Sequence, residues 1–248
     1  MYLTLKKPKS ILRKIFSRSY ASPSRVSKAE LIFYANYVQE GMTVFDVGAN
    51  VGRMSLIFSS LSGRNGKVYS FEPARENFQK LKQVCDLCGC KNISLRNLAL
   101  SDQKKEQNLF VYEEEYSTLN SLVNRPLKEY GIDIEPIKEE IVSVDTVDDF
   151  CTDNGIENID LLKIDVEGAE YQVLLGARKM LENKKIRCCL FEFGATTFDM
   201  GNHPGEIESY LKHLNYRLEN IISSDPVFPG RSSAQKAAFS LMIAKPRS

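Results

Sequence analysis

No apolar run in this sequence approaches the roughly 18 residues that a membrane span needs, so no transmembrane helix is expected. Nor is there an apolar stretch followed by a small-residue cleavage site, which argues against a secretory signal. Acidic residues are missing from the first 28 positions. Those positions hold eight of the 33 lysines and arginines (Lys6, Lys7, Lys9, Arg13, Lys14, Arg18, Arg25 and Lys28). The remaining 25 basic residues face 32 acidic ones, so a formal charge of +1 hides a body at −7. An acidic body disfavours nucleic acid as a partner. Matched cysteine knuckles are also absent. Cys85, Cys88 and Cys90 form one cluster and Cys188–Cys189 a pair, but a zinc site needs four ligands. Cys85 and Cys88 continue the helical stripe of Phe78 and Leu81, so they read as core thiols and no metal ligands are assigned. Free thiols fit a reducing, cytoplasmic compartment.

What is present divides into a basic N-terminal arm, 1–25, and a body, 26–248. In the arm, Ile11, Leu12, Ile15 and Phe16 fall on one face of a short helical pattern, which suits weak contact with an anionic membrane surface. Ten residues hold a helix poorly in water, so a flexible tail is the favoured reading. The body starts on a capping box, Ser27-Lys28-Ala29-Glu30, followed by Leu31, Tyr34, Ala35 and Val38 at helical spacing up to Gly41. Strands are expected at 43–47, 67–71, 92–96, 160–164 and 187–193. Helices are expected between or after them at 53–61, 74–88, 167–182 and 204–214. Two further strand-like segments lie near 216–222 and 238–243. This alternation predicts a Rossmann-like α/β fold, mostly parallel, with helices on both faces. The rhythm breaks in an insertion at about 103–145, where 109–112 and 140–144 read as extra strands around a long loop at 117–136.

Three sites carry chemistry. The first strand-to-helix turn reads Phe45-Asp46-Val47-Gly48-Ala49-Asn50-Val51-Gly52. Ligands of open parallel sheets bind near such turns. The turn lacks the G-x-G-x-x-G triplet that seats a pyrophosphate. Asp46 would repel a phosphate but suits a cation, and S-adenosylmethionine carries a sulfonium and an ammonium and no phosphate. The second site is Ser70-Phe71-Glu72-Pro73, where Glu72 is placed to accept the two ribose hydroxyls of an adenosine cofactor. Its simpler reading is a helix-start carboxylate beside Pro73. The third runs from Leu161 to Glu170 as LLKIDVEGAE. Alternation puts Lys163 and Asp165 on one face of the strand, toward the ligand crevice. Glu167 and Glu170 fall in the expected first turn of a helix, where the dipole favours acids.

Taken together, these blocks resemble the FkbM-type methyltransferases. The resemblance covers about residues 42–193 and rests on FDVGANVG at 45–52 with Ser55, GKVYSFEP at 66–73, NLALSD at 97–102, Ser121-Leu122, TVDDF at 146–150 and DLLKIDVEGAEYQVLLGA at 160–177. It implies a seven-stranded methyltransferase sheet with its last strand antiparallel. It also implies S-adenosylmethionine as cofactor and O-methylation of a hydroxyl on a sugar, glycolipid or natural product. By the same resemblance, Asp46, Gly48, Asn50 and Gly52 should hold the methionine end of the cofactor, Glu72 the ribose, and Ala99 to Asp102 the adenine. Asp165 should border the methyl donor. The sequence departs from the family pattern at 189–193 and shows no family motif beyond Gly194.

A hydroxyl acceptor needs a group to take its proton. Asp165 is the first choice, His203 the second and Glu192 the third. His203 also reads simply as an exposed helix-start residue. Two other functions remain open at this stage. A nicotinamide-dependent oxidoreductase is disfavoured by Asp46 and the missing third glycine, and a non-catalytic methyltransferase-like binding module would keep the same cofactor residues. The acceptor and the oligomeric state are not readable.

Overall fold

The computed structural model describes residues 25–247. The membrane-contact segment expected at 11–16 lies outside them. The first helix among the described residues, α1, spans Arg25–Tyr37, and its Tyr34, with Val38 just past its end, packs against the sheet. Ser27 is already inside this helix, so the expected capping box does not begin the body. Glu30 instead accepts a hydrogen bond from the Tyr34 hydroxyl at 2.9 Å. A Ser-x-x-Glu pattern is a local signal, and a helix runs past it when the residues upstream tolerate helical geometry.

Next come β1 (Thr43–Val47), α2 (Arg53–Ser62), β2 (Lys67–Phe71), α3 (Arg75–Cys88) and β3 (Ile93–Arg96). Beyond the insertion lie α4 (Val147–Asp153), β7 (Leu161–Ile164), α5 (Glu170–Leu175), α6 (Arg178–Glu182) and β8 (Cys189–Phe193). The chain then continues through α7 (Ala195–Asp199), α8 (Pro204–His213), β9 (Tyr216–Asn220) and β10 (Ser240–Pro246). The seven-stranded sheet has the order β3-β2-β1-β7-β8-β10-β9, and β10 runs antiparallel to both its neighbours. Strand order reverses between β1 and β7, which opens a crevice at their carboxyl ends.

The insertion forms a second sheet of order β4-β6-β5, built from β4 (Ala99–Leu100), β5 (Lys105–Val111) and β6 (Lys138–Asp145). Its hairpin strands are longer than the pattern suggested because their outer faces are polar and hide the alternation. Between them the chain forms two 3₁₀ turns, Glu114–Leu119 and Leu127–Tyr130.

Two further expectations need correction. The helix expected at 167–182 is two short helices, and Glu167 (φ 54°) and Gly168 (φ 109°) precede them in left-handed conformations. A Cβ on Gly168 would run into the Thr196 carbonyl, so the loop packs against α7 before the helix can start. Cys85 is buried as expected, but Cys88 is exposed at the last turn of α3, because the apolar stripe ends one turn earlier. All six cysteines are free thiols.

The short helix α4 was not expected, yet the TVDDF block explains it. Thr146 caps it, accepting from the Asp149 N–H at 3.0 Å. Phe150 inserts into the core against Phe45, Tyr69 and Phe71, with ring centroids 4.8 to 5.8 Å away. Asp148 accepts from the N–H groups of Lys179 and Met180 at the start of α6, so the block ties α4 to its neighbour.

Candidate active site

The crevice at the strand reversal holds a cavity of about 300 Å³. It is lined by Gly48 and Asn50 after β1, Glu72, Pro73 and Asn77 after β2, Asp165 to Glu167 after β7, and Glu192 near the end of β8. The segment Ser117–Leu122 covers it from the insertion side, through Ser117, Thr118, Asn120, Ser121 and Leu122.

Gly48 is obligatory at its position. Its φ is +79°, and a Cβ there would collide with the Asp165 carbonyl. The β1 and β7 loops therefore touch through bare backbone, which lines up Gly48 and Asp165 on one rim. Glu72 is 5% exposed. Its carboxylate accepts from the Asn50 N–H at 2.8 Å and the Ala74 N–H at 3.0 Å. Burial pushes its carboxyl up to about 7, against the lowering effect of these N–H groups. Asn50 sits at φ 48°, and its side-chain amide donates to the Ser117 carbonyl at 3.4 Å, joining the glycine turn to the covering segment.

Asp46 does not line the cavity. It is fully buried, accepts from the Ser55 hydroxyl at 2.6 Å, and lies 3.2 Å from the Lys163 ammonium. Lys163 is buried too and bridges to Asp165 at 3.1 Å. Burial opposes its charge, but Asp165 and Asp46 outweigh that and hold the ammonium well above its ordinary range. Asp46 thus acts on the cavity from behind, through Lys163 and through its charge on Glu72. Gly52, at φ 90°, starts α2 and packs against Leu81 outside the cavity. Ala99 is buried in β4 and Asp102 is exposed beyond it, and neither lines the cavity. His203 is exposed at the start of α8, where its Nδ1 accepts from the Gly205 N–H at 3.1 Å. The structure leaves His203 outside the cavity lining that holds the carboxylates it was grouped with, at the cap of α8.

The carboxylates, by contrast, converge. Asp165, Glu167 and Glu192 each bring an oxygen within 4.8 Å of the others. Burial and the charge of Asp165 push Glu167 up to about 8, although Arg125 opposes this. Burial and repulsion from Asp165, Glu167 and Glu170 hold Glu192 well above the usual carboxylate range. Behind them, Glu170 is 1% exposed and accepts from the N–H groups of Val166 and Gly168. Sequence reasoning missed Arg125 altogether. It comes from the insertion, pairs with Glu167 at 2.9 Å and with Asp199 at 3.1 Å, and has a side chain only 7% exposed. An arginine in a long loop carries no pattern that announces such a role. Ser121 is nearly buried and donates to the Glu167 carbonyl at 3.3 Å.

The sequence matches the family described as Methyltransferase FkbM domain over residues 46–218, the larger part of the chain. The protein belongs to the FkbM methyltransferase family. It is 27% identical over 226 residues to 31-O-demethyl-FK506 methyltransferase FkbM from Streptomyces tacrolimicus, covering 81% of this chain and 82% of that protein. It is 31% identical over 163 residues to methyltransferase sdnD from Sordaria araneosa, covering 54% of this chain and 59% of that protein. Among solved structures, methyltransferase FkbM from Methylobacillus flagellatus KT aligns with a TM-score of 0.47 and 17% identity, over 82% of this chain. The chain spans 43% of the length of that structure's chain. The FkbM-family protein is a methyltransferase that uses S-adenosylmethionine, and its seven-stranded sheet with antiparallel β10 is the expected fold.

Proposed function

We propose that this FkbM-family enzyme methylates a hydroxyl group of a small molecule, such as a sugar, a glycolipid or a natural product. The observation that carries the reading is the convergence of Asp165 and Glu192 at the rim of the cavity beside Gly48 and Glu72. A relative's name supports the chemistry, since the protein from Streptomyces tacrolimicus is an O-demethyl-FK506 methyltransferase.

The residues present fit S-adenosylmethionine. Gly48 leaves bare backbone at the rim, and the nearby acids suit a cation. Glu72 uses its oxygens on two backbone N–H groups and keeps lone pairs for hydroxyl donors. In this reading Glu72 holds the ribose, and Gly48 and Asn50 hold the methionine end. Asp46 and Gly52 shape the turn from behind, and the stretch Ala99 to Asp102 takes no direct part. When bound, the cofactor supplies an electrophilic methyl on its sulfonium.

The chain's own residues then have three tasks. The covering segment Ser117–Leu122 excludes water from the cavity. The backbone of the Gly48 and Asp165 loops sets the line of attack for the acceptor oxygen. As its O–CH₃ bond forms and the S–CH₃ bond breaks, the hydroxyl proton passes to a carboxylate. Asp165 is the first choice, because it stands at the cavity rim 3.1 Å from the Lys163 ammonium, and Glu192 is the second. In this reading His203, exposed at the helix cap and outside the cavity lining, takes no part in the proton transfer.

Asp165→Asn should lower turnover by about 10²–10⁴, the usual contribution of a positioned base. Its affinity for S-adenosylmethionine should change much less. Single-turnover kinetics and calorimetry on the same preparation separate the two. Full turnover in the variant on a true acceptor would remove Asp165 from the mechanism.

A further inference from the structure

The cavity crosses the carboxyl edge of the sheet. Its proposed cofactor residues follow β2 and β1, and its carboxylates follow β7 or lie in β8, so Glu192 ends the lining on the side of β10. Methyl transfer is an in-line displacement, so the acceptor oxygen approaches from the side away from the sulfur. With the cofactor over β2 and β1, that side is the edge between β8 and β10.

Two side chains at this edge have no part in the cofactor site. One is Phe239, just before β10. Ser240 pairs with Phe193 and Leu241 with Glu192, so the next position sets Phe239 beside Gly194. Alternation puts Phe239, Leu241, Gly194, Glu192 and Leu190 on one face of the sheet. Lys163 shares that face, because it pairs with Leu190. A Cβ on Gly194 would lie 4.0 Å from the Phe239 ring, so the bare glycine leaves the ring room at the end of β8. Phe239 is 55% exposed, whereas Leu241, the next residue on its face, is buried.

The other is Glu30 of α1. This helix packs on the same face, since Tyr34 clusters with Leu190 and Leu241. Its direction is fixed at both ends. The Tyr37 hydroxyl donates to the Asp160 carbonyl at 3.1 Å, at the amino end of β7. Glu30, two turns earlier, lies within charge reach of Lys163 and Asp165 at the carboxyl end. Lys245, late in β10, sits over the Phe33 and Tyr37 rings, so the start of β10 lies toward the start of α1. Glu30 and Phe239 therefore flank the carboxylates from neighbouring elements. Burial pushes the Glu30 carboxyl up, although the Lys163 ammonium and the Tyr34 hydroxyl oppose this.

From this placement we infer that Phe239 and Glu30 form the acceptor wall of the site, and that the wall takes a pyranose sugar ring. A pyranose carries C–H groups on its faces and hydroxyls around its rim. Its C–H groups are slightly positive and lie well against the negative face of an aromatic ring. Its hydroxyls donate to carboxylates, and Tyr34 leaves Glu30 with lone pairs to accept them. A wholly apolar acceptor would strip water from Glu30, Asp165 and Glu192 without replacing its hydrogen bonds. The inference rests on the methyltransferase reading and names its acceptor class.

The test uses the full-length protein saturated with S-adenosylhomocysteine. Methyl glycosides of glucose, galactose and rhamnose are the probes, with cyclohexanol as an apolar ring alcohol. Saturation-transfer difference NMR reads which probe protons touch the protein. Transfer to the ring C–H protons of at least one glycoside is expected, with a weaker signal for cyclohexanol. Phe239→Ala and Glu30→Gln should each lower the glycoside signal at least about fivefold. Phe239→Tyr should keep it, and Ile141→Ala, on the exposed face of β6, should leave it unchanged. Calorimetric binding of S-adenosylhomocysteine by each variant shows that it is folded. Should Phe239→Ala or Glu30→Gln fail that check, Phe239→Trp decides in its place. The chain has no tryptophan, so the emission reports position 239 alone, and glycoside should change it. A glycoside signal absent from the wild type, untouched by either change, or weaker than that of cyclohexanol overturns the sugar wall, as does an unresponsive Phe239→Trp emission. Each of these leaves the methyltransferase reading standing. Failure of the wild-type protein to bind S-adenosylhomocysteine would instead overturn the reading of the cavity as a cofactor site.

Discussion

Glu72 is the residue whose environment makes the sharpest claims. On the proposed ribose role, Glu72→Ala would remove two charge-assisted hydrogen bonds, each worth about 1.5–3 kcal/mol. Affinity for S-adenosylmethionine should fall at least about tenfold, read by calorimetric titration. An unchanged dissociation constant in the folded variant would sink the ribose assignment. The raised carboxyl adds a pH dependence. Burial lifts it from the ordinary 4.5 to about 7, so the folded protein holds this proton more tightly than the unfolded chain does. Its contribution to stability is fully present below about pH 4.5 and is lost as pH rises through about 7. Ligand donors favour the ionised form, so they offset that loss only above it. The thermal shift produced by the cofactor should therefore be larger at pH 8 than at pH 6, and Glu72→Gln should flatten the difference. Glu72 was legible in the sequence because it ends a strand before Pro73. Arg125 was not, because its partners Glu167 and Asp199 lie 42 and 74 residues away along the chain.

At the scale of elements, the decisive contacts are those that join the insertion to the main sheet. The covering segment is fixed by Asn50 from the β1 turn, by Ser121 on the Glu167 carbonyl, and by Arg125 on two carboxylates. These links reach the loops after β1 and β7 and the end of α7, so the second sheet and the cavity are built together. The short helix α4 anchors the base of that arrangement through Phe150, which is 4% exposed among three other aromatic rings. Phe150→Ala should cost about 3–5 kcal/mol, through lost transfer energy and the cavity left behind. Urea denaturation followed by circular dichroism should show the midpoint falling with little change in slope. A loss below about 1 kcal/mol would mean that α4 is not an anchor. The strands and long helices were readable from periodicity. The left-handed pair Glu167-Gly168 was not, since that break comes from packing against the Thr196 carbonyl.

For the whole molecule, the uneven charge suggests a division of labour. Removing residues 1–24 should leave folding and S-adenosylmethionine affinity intact, because the cavity residues begin at Gly48. If the basic arm is a surface tether, the shortened protein should lose binding to anionic vesicles, and salt should weaken binding by the full chain. A truncation that unfolds the protein would reject this division. No described helix is long and apolar enough to cross a membrane. The order of blocks from FDVGANVG to LLKIDVEGAE by itself determined the parallel sheet, the family and the cofactor class. Backbone periodicity and turn glycines are local properties, written in neighbouring residues. Which acids meet in the cavity was decided only by the tertiary structure. It moved Asp46 behind Lys163, spent His203 on a helix cap, and drew Glu192 from β8 to the side of Asp165 and Glu167 from β7. Those distances follow from strand order and loop packing, which join residues far apart along the chain.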